Sequence, residues 1–78
     1  MSSNDDQVLK RIENFFELYE SGSREEAIEE LKSTVVFFSR ESTELIYLDH
    51  AIRDFDNEKD EEALENVKAL RDLVEGGN

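Results

Sequence analysis

Apolar residues along this chain recur at intervals of three and four, and nowhere alternate with polar ones over the length of a strand. That spacing places them on one face of an α-helix and predicts helices throughout. Val8, Ile12, Phe15 and Tyr19, flanked by Leu9 and Phe16, make the first stripe and predict a helix over 5–20. Asn4 is its expected N-cap, with acidic residues in the first turn. Ser21-Gly22-Ser23 ends it, and Gly22 can take the left-handed conformation that closes a helix. A second helix is expected over 24–40. Ser23 and Glu26 stand three apart, as in a capping box. Its stripe reads Ala27, Ile28, Leu31, Thr34, Val35 and Phe38. Ser42 or Ser39 caps a third helix over 43–56, with Leu45, Leu48, Ala51, Ile52 and Phe55 on one face. No Gly or Pro separates the second and third helices, so one continuous helix is the competing reading. A polar turn from Asp56 to Lys59 leads to a fourth helix over 60–75, with Ala63, Leu64, Val67, Leu70 and Val74 inward. Gly76-Gly77-Asn78 reads as a frayed end. Short connections favour antiparallel neighbours. The expected fold is all-α, one domain over 1–78, a four-helix antiparallel bundle built from two helical hairpins.

The two hairpins resemble each other at a spacing of 36. Leu9, Ile12, Phe16 and Tyr19 match Leu45, Leu48, Ile52 and Phe55. Glu25-Glu26-Ala27-Ile28 matches Glu61-Glu62-Ala63-Leu64, and Leu31, Lys32 and Thr34 match Val67, Lys68 and Leu70. The segment from Leu18 to Ile28, with Tyr19, Gly22, the Glu25-Glu26 pair and Ala27, resembles the turn of a tetratricopeptide repeat. The second copy, Phe55 to Leu64, keeps the aromatic, the acids and Ala63 but carries Glu58 at the glycine position. Phe15 and Ala51 stand where that family packs a glycine, the terminal proline is missing, and the spacing exceeds the family's 34. The resemblance covers less than half of each unit. It implies a helical hairpin packed through small residues such as Ala27 and Ala63, and a peptide-binding role.

Charge narrows the partners. The 78 residues carry 21 acidic against 9 basic side chains, a formal net charge of −12. Neutralising nucleic-acid phosphates needs clustered Lys and Arg, which are absent here, so direct nucleic-acid binding and an anionic membrane surface are both disfavoured. A basic protein partner is favoured by long-range steering. The same acid also fits mere solubility or a high-salt cytoplasm. Only four Lys suits the latter, while 14 Glu against 7 Asp and five Phe do not. With no cysteine the chain has no disulfide or thiol chemistry. Its longest apolar run, Val35 to Phe38, is far short of a membrane span. Met1 to Asp6 holds neither a basic nor an apolar stretch, so a soluble cytoplasmic protein is expected.

Candidate chemistry is sparse. Asp54 to Glu65 places carboxylates at positions 1, 3, 5, 7, 9 and 12 of a calcium-type loop, but Lys59 stands where the turn needs Gly and Glu61 where an apolar residue belongs. An acidic helix start complementing its own dipole is the expected reading of the run. His50 is the sole histidine, which excludes a His-rich zinc site, and Tyr47 occupies the position a Glu-x-x-His di-iron motif requires. No phosphate-binding glycine loop or nucleophile elbow is present. The expectation is therefore no catalysis, no cofactor and no metal.

Hydrophobes off the stripes carry more. Val36 lies opposite the second helix's inner face and Phe37 at its edge, while Ile46 and Tyr47 lie off the third. With His50 beside them these four are the candidate interface, with Glu25, Glu26, Glu29 and Glu30 as its acidic rim, unless they pack under each other at the turn and complete the core. The leading reading is a small regulatory interaction protein, in its sharpest form an inhibitor whose acidic helices imitate DNA phosphates on a basic nucleic-acid-binding protein. The alternative is a structural homodimer joined through the same patch, with the acid serving solubility or high-salt adaptation.

Overall fold

The computed structural model describes residues 3–76, and among these the chain is four α-helices and one short 3-10 segment with no strand. The helices are α1 (Ser3–Glu20), α2 (Arg24–Lys32), α3 (Thr43–Asp56) and α4 (Asp60–Gly76), with the 3-10 turn over Ser33–Phe37 extending α2. Because α1 begins at Ser3, Asn4 falls inside its first turn and is not the cap. The expected fraying at Gly77 and Asn78 lies outside the described residues.

The stripes meet as the spacing requires. Val8, Ile12, Phe15, Leu31, Leu48, Phe55, Val67 and Leu70 are all buried, with Ala27, Ala51 and Ala63 filling the close approaches. Phe15, Phe16, Tyr19 and Phe55 form an aromatic cluster with ring centroids 5.0–6.0 Å apart. Each hairpin packs on itself, α1 on α2 and α3 on α4, and the two join through α1 with α4 and α2 with α3. The first and last helices therefore touch, which closes a ring of four; successive repeats of an open solenoid contact only their neighbours.

The 36-residue spacing reappears as geometry. At the end of α1, the Gly22 and Ser23 amides donate to the Tyr19 and Leu18 carbonyls at 3.2 and 2.9 Å. At the end of α3, the Glu58 and Lys59 amides donate to the Phe55 and Asp54 carbonyls at 3.0 and 2.7 Å. Both are Schellman turns, and their left-handed residues, Gly22 (φ 94°) and Glu58 (φ 61°), are 36 apart. Carrying α1 to α3, α2 to α4 and α4 back onto α2 is a half-turn about the bundle axis. The molecule is thus two hairpins around an approximate two-fold. Phe15 and its counterpart Ala51 are both buried, one large and one small on diagonal helices, as interdigitation near an axis demands.

Two local expectations are corrected. The Ser23–Glu26 capping box does not form: Ser23 makes no side-chain cap and sits at φ −93°, ψ 61° rather than in extended backbone. A three-residue turn leaves Ser23 serving the Schellman closure of α1, and that fixes its backbone away from the N-cap conformation. The second helix also stops being α at Lys32, not near Arg40. There the Ser33 and Thr34 hydroxyls donate to the Glu30 and Leu31 carbonyls, three residues back, at 2.6 and 2.7 Å. The following Val35-Val36-Phe37-Phe38 run is β-branched and aromatic, poor in helix propensity. Phe38 is extended, and α3 is a separate helix capped by Ser42, whose Oγ accepts from the Leu45 amide at 3.2 Å.

The two turns make opposite predictions. A non-glycine residue in the left-handed region is strained, so Glu58→Gly should raise unfolding free energy by about 0.5–1 kcal/mol, and Gly22→Ala should lower it by about 1 kcal/mol. No atom crowds a β-carbon at Gly22, so that loss is purely conformational. Urea titration reads both. The two-fold predicts a partial rescue: Phe15→Ala alone costs about 3–5 kcal/mol, and adding Ala51→Phe, which refills the space from the diagonal position, should recover part of it. A double variant no more stable than the sum of the singles would contradict the packing.

Candidate interaction surface

Where the two hairpin turns meet, the first residues of α2 and α4 form an ion pair. Arg24 Nε and Nη2 donate to the two Asp60 oxygens at 2.9 Å each, and Tyr19 Oη donates to Asp60 Oδ2 at 2.7 Å. Arg24 Nη2 also donates to the Phe55 carbonyl at 2.8 Å, and its guanidinium lies 5.5 Å from the Phe55 ring centre. Arg24 and Asp60 are equivalent positions of the two halves, as are Tyr19 and Phe55. The pair therefore sits across the two-fold and locks one hairpin to the other. The Arg24 hydrogen bond first, and the Tyr19 hydrogen bond second, hold the Asp60 carboxyl below its ordinary 3.8. The same bond to Asp60, with burial, raises the Tyr19 phenol.

The calcium-type segment contains no loop. Asp54 and Asp56 belong to the end of α3, a three-residue turn follows, and Asp60 to Glu65 are the first turns of α4. Asp54 accepts from Asn66 Nδ2 at 3.0 Å, and Asp60 is held by Arg24 and Tyr19. Among the described residues no group of three or more His, Asp or Glu side chains converges to hold a metal ion. His50 is exposed on α3, one turn beyond Ile46.

The four off-stripe hydrophobes separate into two pairs. Val36 and Ile46 are 82% and 56% exposed. Phe37 and Tyr47 are half-buried and packed against the core, so they do not belong to an exposed patch with the other two. Phe37 faces α1, where the Arg11 guanidinium lies 5.7 Å from its ring centre; Arg11 also donates to Ser33 Oγ at 3.0 Å. Val35, expected in the core, is 40% exposed. The 3-10 winding, about 120° per residue, carries it out of the α-helical phase. Val35, Arg40, Leu45, Ile46, Asp49 and Ile52 together line a shallow groove between the 3-10 turn and α3. Of the acidic rim, Glu25, Glu26 and Glu29 are exposed along α2. Glu30 is half-buried, accepting from Asn14 at 3.3 Å and lying 3.9 Å from Arg11.

The other half of the molecule supplies an internal control for this groove. Its equivalent lies between α4 and α1, where the Arg71 guanidinium covers the Phe16 ring at 5.4 Å beside Glu13 and Lys68. The 36-residue spacing pairs Lys10 with Ile46, Arg71 with Val35, Asp72 with Val36 and Phe16 with Ile52. One groove is closed by a cation laid on an aromatic ring; the other is aliphatic and open. Ile46 and Lys10 both stand exposed on α-helices, so an aliphatic side chain at Ile46 is not a folding requirement, whereas Val35 and Val36 lie in a 3-10 turn that α4 does not repeat. Sequence reading missed Val35, Leu45 and Ile52 as groove residues because it matched the similarities between the halves and left their differences unread.

The ion pair predicts a pH signature. A carboxyl held below its unfolded value contributes stability at neutral pH and loses it as pH falls below about 4 through the lowered folded value. Asp60→Asn should therefore lower the urea midpoint at pH 7, and the gap between wild type and variant should close below pH 4. A gap unchanged from pH 7 to pH 2 would show that the ion pair contributes nothing.

No family model, curated protein or solved structure matches the chain.

Proposed function

We propose that this is a small, non-catalytic interaction protein that docks a basic protein partner through the groove lined by Val35, Leu45, Ile46 and Ile52. The observation that carries the reading is the contrast between the two halves. At a spacing of 36, the exposed Ile46 is answered by the exposed Lys10 on the equivalent helix, and Val35 and Val36 by Arg71 and Asp72, though the former pair lies in a 3-10 turn. Exposed contiguous aliphatics without a folding role are what an interface core supplies. The acidic face of α2, with Glu25, Glu26 and Glu29 toward solvent, gives the long-range attraction that selects a basic partner and speeds encounter. No described helix is long and apolar enough to cross a membrane.

The test is capture from nuclease-treated lysate of the source organism, at low and high salt, on immobilised wild type and on Ile46→Lys. That variant installs the residue that the first half already carries at the equivalent position, so the fold tolerates it. The wild type should retain one stoichiometric basic protein at low salt and release it at high salt, and Ile46→Lys should retain at least tenfold less. Equal retention by both would remove the groove from the interface. Displacement of the captured protein by duplex DNA would support the sharper form, an inhibitor occupying a nucleic-acid-binding surface, and indifference to DNA would exclude that form.

A further inference from the structure

We infer that in the free protein the same groove is covered by a second copy of this chain, so that self-pairing and partner docking compete for one face. The inference rests on the reading of the groove as a docking face and adds its occupant in the absence of a partner. The molecule carries a net charge of −12, and two copies approaching at random meet acid against acid. The groove departs from that average. Its lining is four aliphatic residues, one cation and one anion: Val35, Leu45, Ile46 and Ile52 with Arg40 and Asp49. It is neutral on a strongly anionic body. Arg40 makes no ion pair among the described residues, and Asp49 meets only the exposed Arg53 of its own helix at 3.2 Å.

A two-fold contact is self-complementary: whatever one copy presents, the other presents in reverse. Seated on itself, the groove sets aliphatic residues against aliphatic residues and lets Arg40 of each copy face Asp49 of the other. A purely basic ligand gains nothing from Arg40 within the groove, whereas a second copy uses it. The face is also small. Six residues line it, well below the roughly 20–30 residues a side of a stable interface. The pairing is therefore weak and reversible, with a Kd above about 1 µM, and a partner steered by the acidic flank can displace it. Salt acts oppositely on the two complexes. It screens the repulsion between two anionic copies and favours the dimer, and it screens the attraction for a basic partner and weakens that complex.

Sedimentation equilibrium from about 10 µM to 1 mM, at 50 mM and 500 mM NaCl, tests this. The wild type should move from monomer toward dimer with concentration, and more strongly at the higher salt. Ile46→Lys should weaken the dimer at least tenfold with unchanged circular dichroism. Arg40→Glu should weaken it, and the exchange Arg40→Glu with Asp49→Arg should restore it, which a general loss of folding would not do. A monomer at every concentration and both salts overturns self-pairing. So does a dimer indifferent to Ile46→Lys, or one that salt dissolves. The lysate capture is read separately: capture that depends on Ile46 in a strictly monomeric protein would retain the docking face and remove only its second-copy occupant. A salt-strengthened dimer with no captured protein would support self-pairing and remove the basic partner.

Discussion

A helical hairpin of about 35 residues exposes an apolar stripe that it cannot cover alone, and that constraint organises the whole molecule. With 78 residues and no cysteine to cross-link them, a core must come from hairpin against hairpin. Here two similar hairpins close on each other, and Phe15, Leu31, Leu48, Phe55 and Leu70 vanish from solvent at their junction. The remaining features serve that closure. Two Schellman turns bring both hairpin bends to one end, where the chain reverses in three residues each time. The Arg24–Asp60 pair, with Tyr19 and the Phe55 carbonyl, then fixes how one hairpin is rotated on the other. Its value is geometric as much as energetic, since a partly exposed ion pair contributes modest free energy but a bidentate one accepts a narrow range of orientations.

The same closure explains which parts of the fold were legible from sequence. The stripes of α1, α3 and α4 follow one period without interruption, so Val8, Ile12 and Phe15, Leu48, Ala51 and Phe55, and Ala63, Val67, Leu70 and Val74 could be placed inward directly, and they are buried. The end of α2 could not. Its period changes at Ser33 from α to 3-10, and a pattern extrapolated at 100° per residue assigns Val35 to the core and Phe37 to the edge, where the structure exposes the first and packs the second. Nothing punctuates the change, because it is driven by hydroxyl bonds to carbonyls and by β-branching rather than by Gly or Pro. The capping box failed for a different reason. Ser23 is claimed by two helices at once, and a motif read in isolation ignores the turn it must share.

Of the candidate surface, sequence supplied the two most exposed residues, Val36 and Ile46, and mixed them with two that turn inward, Phe37 and Tyr47. Helical angles alone separate an inner face from an outer one. They do not say which flank of a helix lies against a neighbouring hairpin and which opens to solvent. That distinction needed the ring of four helices, in which the α2–α3 flank and the α4–α1 flank are counterparts.

Repetition then becomes a tool for locating function. When two halves share a core pattern and a turn geometry, many of the positions that serve folding carry similar residues in both. Tyr19 with Phe55, Ala27 with Ala63 and Leu31 with Val67 obey this. The flanks do not: Lys10, Arg71 and Asp72 are answered by Ile46, Val35 and Val36. A groove closed in one half by Arg71 on Phe16 shows that the architecture has a solution compatible with water, and the other half does without it. On a surface with a net charge of −12, a groove whose lining balances one cation against one anion departs from the surrounding acid. Withdrawal of acid from part of an otherwise repulsive surface favours close contact with another protein surface there.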